Sequence, residues 1–338
     1  MDNVLDVFNS DAFSFVALTD AINKIPFAPS RASTVVDWNE QGVTTTSIEF
    51  EQVENVLTLI NPSPRGGPGD TRAKPKRNVE TMAIPHYELN GGVNADEVQG
   101  VRAFGQGSIM QTVQNKIGEV QAVQAQDFDA TLEYQRIGAL SGIVLNGDAT
   151  TYVNLFTKFN VTPQTEVDFN LDSTADDGAL LATCSAVVRG MARALGGTQF
   201  QGVYAFTSDT FWDALMKNTE RRKTYQAQNA AQLRDGNAWS TFSYGGITFE
   251  NYRGGVGTEE GTPFIPTDKA WLFPVGVPRL FRTVYAPADY VETVNTVGLP
   301  RYSRVTPWEN QKGVGIDSQM NALSYCTRPR ALFKGKLT

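Results

Sequence analysis

One histidine and two cysteines in 338 residues leave little material for side-chain chemistry. His86 alone cannot supply a site of several imidazoles, and Cys184 and Cys326 lie too far from it and from each other for a zinc site of ordinary spacing. As the base of a serine nucleophile His86 would need a Gly-x-Ser-x-Gly elbow, and the chain has none. Directly after Pro85, in a strand-like run, it reads as a structural residue. No Gly-x-x-x-x-Gly-Lys-Ser/Thr loop is present for a nucleotide phosphate. Gly105-Gln-Gly107 and Gly255-Val-Gly257 lack the third glycine and the tight preceding strand of a dinucleotide fingerprint, and read as turns. The acidic sets Asp168/Asp172 and Asp176/Asp177 have the residue types for a cation or for acid–base work, but caps and turns use the same residues. No catalytic, metal-binding or cofactor-binding residue is singled out.

Charge is also sparse. Charged residues make up 19% of the chain, against about 25% in ordinary soluble domains, which suits a molecule with much of its surface covered. The 36 acids and 29 lysines plus arginines give a net charge of −7, which disfavours general adhesion to phosphate backbones. The opening MDNVLDVFNSDAFSF is acidic and is not a secretory signal, and no apolar run approaches the roughly 20 residues that span a bilayer. Cys184 falls in the apolar stripe of a helix, so both thiols are expected to be reduced, in a cytoplasmic chain without a disulfide framework.

Against this plain background one segment stands out. Asn61 to Asn78 reads NPSPRGGPGDTRAKPKRN, with Ala73 its one ordinary apolar side chain. It lies between two strand-like runs, Val43 to Ile60 and Val79 to Leu89. The simplest reading is a long two-stranded ribbon whose tip carries Arg65, Arg72, Lys74, Lys76 and Arg77, opposed by Asp70 alone. An isolated two-stranded ribbon is marginal in water, so it needs something to lie against. At roughly 3.3 Å per residue, about a dozen residues a side reach some 40 Å, far enough for a neighbouring subunit. The alternative is a surface loop.

Residues 1 to 33 place Val4, Leu5, Val7, Phe8, Phe13, Phe15, Val16 and Leu18 in a helix-compatible segment ending at Ile25-Pro26. Two readings stand: an apolar arm for another subunit, with Phe8, Phe13 and Phe15 as its contacts, or a terminal helix packed on its own domain. Ser108 to Leu140 spaces Ile109, Val113, Ile117, Val120, Phe128, Leu132 and Ile137 mostly three or four apart, predicting a helix of roughly 50 Å. A coiled coil is its alternative, although the spacing drifts and Gly118 and Gly138 interrupt it. Its polar positions are mostly glutamine (Gln111, Gln114, Gln121, Gln124, Gln126, Gln135), which can bond at a packed surface without desolvating an ion.

A capped helix is expected from Ser173 through Leu195, closed by Gly196-Gly197. A strand at Val203 to Phe206, a second capped helix from Ser208, and strands at Gly246 to Tyr252 and Ala270 to Val275 make 173 to 295 an α/β region. Arg221-Arg222-Lys223 follows the second helix as a solvated end or a contact for an acidic neighbour. Alternation through Val314, Ile316, Met320 and Ala322 predicts a terminal strand that needs an earlier partner.

The order of these parts resembles the lambda-type major capsid protein family of tailed bacteriophages (capsid protein E), with the Hong Kong 97-like fold. The residues that carry the likeness are Arg65-Gly66-Gly67 and Lys74-Pro75-Lys76 in the extended segment, then the helix from about 108. Asn218 to Arg222, Tyr244 to Phe249, Pro266 to Gly276 running into Phe281 to Tyr285, and Gly298 to Tyr302 continue it. It extends from about residue 34 to the end and lies in sequential order more than in any single string.

The resemblance implies an α+β subunit with an N-terminal arm (1–33), an extended loop (34–92), a peripheral domain with a spine helix (93–172 with 296–338) and an axial domain (173–295). It further implies a structural protein, not an enzyme and without cofactor, whose hexamers and pentamers form an icosahedral head around double-stranded DNA. Scaffold, portal and decoration proteins would be its partners, with weak nonspecific contact to the packaged DNA and none to a membrane, and assembly would take place in the bacterial host cytoplasm. Arg65, Gly66, Gly67, Arg72, Lys74, Lys76 and Arg77 would be inter-subunit contacts of the loop, and Arg221, Arg222 and Lys223 contacts of the axial domain. Lysine–asparagine crosslinking, known in the wider fold, has no pair singled out here. Three other classes are open to the chain: an α/β enzyme with its site in 173–295, which sedimentation as a small oligomer would reveal, a minor or decoration protein of the virion, which a copy count would reveal, and a nucleic-acid binder, which salt-dependent DNA affinity of the isolated chain would favour.

Overall fold

Three-and-four spacing of apolar residues produces the longest element, helix Ile109–Ser141. The structure, a computed structural model, describes residues 14–25, 30–53, 77–98, 109–173, 178–220, 241–256, 262–309 and 312–338. Gly138 does not break the long helix. It lets the helix lie on the hairpin Ile143–Leu145/Thr151–Asn154, where a Cβ would come within 2.8 Å of the Ile143 carbonyl oxygen. Gly118 meets no such neighbour.

Two small sheets lie along this helix. The first is antiparallel, in the order Tyr302–Pro307, Gly313–Met320, Tyr87–Asn94, and its Val93, Val314 and Ile316 close over Val113 and Ile117 of the helix. The expected terminal strand therefore finds its earlier partner in residues 87–94. The second sheet is Trp38–Gly42, Phe281–Tyr285 and Ala322–Cys326. Phe128 and Leu132 of the helix pack with Tyr285, Met320 and Ala322 where the two sheets meet. Leu89, assigned by alternation to the returning arm of the ribbon, belongs to the first sheet instead. The ribbon's return strand ends at Ala83, and Pro85, without an N–H, separates the two strands.

The α/β region forms a six-stranded sheet in the order Val167–Asp168, Phe333–Lys336, Lys269–Val275, Gly202–Thr207, Ile247–Asn251, Phe242–Tyr244. Helix Ala179–Ala194 buries Leu180, Cys184, Val187 and Met191 against Phe211, Trp212 and Leu215 of helix Asp209–Lys217 and against Phe249 and Leu272 of the sheet. Strands from both sides of 173–295, at 167–168 and 333–336, complete the sheet, so its hydrogen bonding runs past those limits.

The capping expectations divide. Ser208 accepts from the Phe211 amide at 3.4 Å, as its position predicts, and Gly196 and Gly197 close the first helix with φ of 61° and 86°. The start of that helix is corrected: it begins at Ala179, with Gly178 at the cap position, rather than at Ser173. Glu220, distant in sequence, accepts from the Leu180 and Leu181 amides at 3.1 and 3.0 Å. A carboxylate there satisfies exposed donors and complements the positive end of the helix.

Both cysteines are buried and free, and burial pushes each thiol up to about 12. His86 bonds Asn321 Oδ1 at 2.7 Å, tying the turn after Pro85 to the junction of the two small sheets. Among the described residues, no helix is long and apolar enough to cross a membrane.

Candidate assembly surfaces

The ribbon is present at its root. Ser47–Val53 pairs antiparallel with Arg77–Ala83, in register from Ser47 opposite Ala83 to Val53 opposite Arg77. Ile48, Met82 and Ile84 sit in the main core with Val144, Val153 and Leu155. Tyr152 donates its hydroxyl to the Ala83 carbonyl at 3.1 Å and Lys158 its ammonium to the Thr81 carbonyl at 3.3 Å. No third strand pairs with it among the described residues. Of the loop residues picked from sequence, Arg77 opens the return strand, while Arg65, Gly66, Gly67, Arg72, Lys74 and Lys76 lie outside the described residues. So do Arg221, Arg222 and Lys223.

Of the arm phenylalanines, Phe8 and Phe13 also lie outside the described residues. Phe15 opens helix Phe15–Lys24, which Ser14 caps by accepting from the Ala17 amide at 3.3 Å. Expected at a neighbour, Phe15 meets rings of its own chain, edge-on to Tyr290 at 5.3 Å and stacked near Tyr302 at 6.3 Å. Leu18 and Ile22 are buried, and Asn23 donates to the Arg301 carbonyl at 2.8 Å. Residues 15–24 thus follow the packed-helix reading.

Arg301 secures that packing. Its guanidinium is fully buried, donates to the carbonyls of Ile22 and Ile25 at 3.1 and 3.2 Å, and pairs with Asp129 of the long helix. Two further ionisable side chains of the helix, Glu133 and Arg136, are buried one turn apart. Glu133 accepts from the Ala32 amide at 2.8 Å and the Tyr252 hydroxyl at 2.9 Å. Arg136 reaches Glu40 at 2.5 Å, donates to Ser33, and lies 5.2 Å from the Trp38 ring centroid. Burial and the Glu133 charge hold the Tyr252 phenol far above its usual range. Sequence reading missed these three. The signal was their own spacing, since 129, 133 and 136 share the stripe of Phe128 and Leu132.

Of the five glutamines whose side chains are described, the expectation holds for three. Gln121 donates to Ser303 Oγ at 2.9 Å. Gln124 donates to the carbonyls of Leu89 and Ile316 at 3.2 and 3.4 Å and accepts from Ser318 Oγ at 2.7 Å. Gln135 donates to the Tyr87 hydroxyl and the Ala322 carbonyl at 2.7 and 3.0 Å, and accepts from the Ser324 amide at 3.3 Å. The packed surface they serve lies within the subunit.

Between the long helix, Arg31 and the 250–255 segment a cleft of about 480 Å³ opens, lined by Arg31, Gln126, Glu133, Tyr252 and Phe264. Arg31 grips Glu250 there through two contacts of 2.5 and 2.7 Å. Among the described residues, no group of three or more histidine, cysteine or acidic side chains is placed to hold a metal ion. The cleft is a salt-bridged seam between elements.

The profile of phage major capsid protein E matches residues 14–337, nearly the whole chain. The chain belongs to this family. The capsid protein is 25% identical, over 95% of each chain, to the major capsid protein of Salmonella phage Felix O1, and 25% identical to that of Pseudomonas phage KPP10 over 96% of this chain and 97% of the other. Its fold is shared with the mature capsid of bacteriophage PhiM1, at 14% identity and a TM-score of 0.54, covering 92% of this chain and 88% of that one. This is the Hong Kong 97-like α+β fold. The capsid protein is a structural subunit of an icosahedral phage head, not an enzyme, and it associates with copies of itself in the virion. Its working parts are therefore surfaces.

Proposed function

We propose that the capsid protein closes hexamers and pentamers by laying the tip of its ribbon, residues 61–78, across an adjacent subunit, where Arg65, Arg72, Lys74, Lys76 and Arg77 meet carboxylates. The observation that supports this is the root of the ribbon. Two strands leave a well-anchored base in continuous register, and beyond that base the sequence is cationic and rich in proline and glycine. A two-stranded ribbon lacks the burial to order itself alone, so a surface on a neighbour supplies the missing contacts. In the proposed division, 34–92 is the extended loop, 93–172 with 296–338 the peripheral domain, and 173–295 the axial domain around the capsomer centre. Gly66 and Gly67 give the tip its close approach, and Arg221, Arg222 and Lys223 serve as a second contact in the axial domain. Scaffold, portal and decoration proteins are the proposed partners, with assembly in the host cytoplasm. The net charge of −7 suits a wall around double-stranded DNA that adheres to it only weakly.

The test is charge reversal of Arg65, Lys74, Lys76 and Arg77 to Glu, followed by circular dichroism and electron microscopy. The expected product has the parent spectrum and forms no closed shells. Normal shells from this variant would remove the tip from the assembly mechanism.

A further inference from the structure

The chain is acidic as a whole, yet three of its stretches contain no acid. Residues 179–208, 269–288 and 318–338 hold nine lysines and arginines between them. Taking those nine positive charges from the total of −7 leaves −16 on the rest of the molecule, so charge is sorted rather than mixed. The fold brings the three stretches together. Helix Ala179–Ala194 lies against the turn Pro329–Ala331, and a Cβ on its Gly190 would come within 2.7 Å of the Phe333 ring. Arg328 donates to the Leu195 carbonyl at 2.7 Å and to Thr198 Oγ1 at 2.9 Å, holding the end of that helix. The adjoining Thr327 donates its amide to the Leu280 carbonyl at 2.8 Å and its hydroxyl to the Arg279 carbonyl at 3.3 Å.

Arg189, Arg193, Arg279, Arg328 and Arg330 surround this junction, and all five are exposed. Arg189 and Arg193 stand one turn apart on the helix, on the face away from buried Val187 and Met191. Other arginines of the chain are neutralised: Arg31 meets Glu250, Arg136 meets Glu40, Arg301 meets Asp129 and Arg304 meets Glu292. Among the described residues, none of the five at the junction meets a carboxylate.

Guanidinium groups on a face free of carboxylates attract a polyanion, and their planar fork matches phosphate oxygens. Two polyanions are open to such a face, a nucleic acid backbone and the acidic surface of another protein. Protein interfaces are built around apolar anchors. Among the described residues, the exposed large apolar side chains include none from 189–199, 276–282 or 327–331. A polar, strongly positive surface of this kind fits a phosphate backbone. The acidic remainder repels the same backbone, which confines contact to one side of the subunit.

We propose that this arginine face is where the subunit touches the phosphate backbone of the packaged double-stranded DNA, and that it therefore looks into the shell. The proposal rests on the reading of the head as a container for double-stranded DNA, and it is independent of the ribbon tip.

The test titrates a labelled double-stranded oligonucleotide with the full, unassembled chain, by fluorescence anisotropy at a series of salt concentrations. Arg189→Gln, Arg193→Gln and Arg330→Gln are combined, and Arg328 is left to hold the helix end. The parent should bind with strongly salt-dependent affinity, and the triple variant should lose about 2 to 3 from the slope of log affinity against log salt, for every DNA sequence alike. Lysine at the same three sites should keep the slope, because the charge is kept. A slope unchanged by the glutamines, or no binding by the parent at about 50 mM salt, would overturn the proposal. If the glutamine variant keeps its slope but no longer closes shells, the face belongs to an acidic surface of a second copy, and the proposal falls. Heads purified without double-stranded DNA would instead remove the reading beneath it, whatever slope the chain shows.

Discussion

The helix–sheet unit around Met191 and the seam along helix Ile109–Ser141 are both buried, yet they are built from opposite materials. In the first, Leu180, Cys184, Val187, Met191, Phe211 and Phe249 pack as one apolar cluster, with Glu220 at its edge on the Leu180 and Leu181 amides. In the second, Gln121, Gln124, Asp129, Glu133, Gln135 and Arg136 are all buried and each is hydrogen-bonded or ion-paired. Apolar contacts are non-directional, so that core accepts side chains of similar volume. Hydrogen bonds fix both partner and position, and losing one partner leaves the other desolvated. The capsid protein thus has one core that tolerates repacking and one that holds a particular alignment.

The largest break in this comparison is Arg301→Met. It leaves the Asp129 carboxylate and the carbonyls of Ile22 and Ile25 without their buried cation, at about 3–5 kcal/mol. Urea unfolding should show that loss, and adding Asp129→Leu should recover part of it. No loss in the single variant would mean that the pair is not a stabilising link between arm helix and long helix.

A matched pair of near-isosteric changes sharpens the contrast. Gln135→Leu leaves the Tyr87 hydroxyl, the Ala322 carbonyl and the Ser324 amide short of a partner, costing about 1–3 kcal/mol. Met191→Leu in the apolar unit should cost less than about 1.5 kcal/mol. Equal midpoints for the two variants would erase the distinction between the cores.

The smallest effect belongs to the polar rim of the apolar unit. Lys336 first, and then the Asn170 amide, hold the Asp168 carboxyl below its usual range. Because the folded value is depressed, its contribution is present above the ordinary carboxylate range and fades as pH falls through the folded value. Asp168→Asn should therefore differ slightly from the parent near neutral pH and match it in strong acid, in thermal melts at the two conditions. A gap that widens in acid would reverse the assignment.

The pattern of what sequence revealed follows from the range of each interaction. Several local signals held: Ser208 caps its helix, Gly196-Gly197 closes another, and alternation at Val314 and Ile316 marks a strand, because each depends on neighbours a few residues away, although the local cap signal at Ser173 did not hold. Signals that depend on distant partners did not. Nothing near Ala179 announces that Glu220 caps that helix, and the charges at 129, 133 and 136 look solvated until Arg301, Tyr252 and Trp38 are brought to them. Leu89 fitted two strands by alternation, and only its pairing partner decides between them. Gln121, Gln124 and Gln135 were read correctly as residues of a packed surface, but sequence alone does not tell whether such a surface lies within one subunit or between two. Of the candidate contacts, Arg77 and Phe15 fall on described residues, and Phe15 alone has contacts that bear on its role.

Of the bonds made by Gln124 and Gln135, several end on main-chain groups: the carbonyls of Leu89, Ile316 and Ala322 and the amide of Ser324. Main-chain groups are the same whatever side chain occupies the position. The strands beneath the long helix can exchange many of their residues without loosening these attachments, whereas each glutamine has no such latitude. Sequence drift in this wall should therefore be lopsided, ample along the sheets and narrow at a few points of one helix.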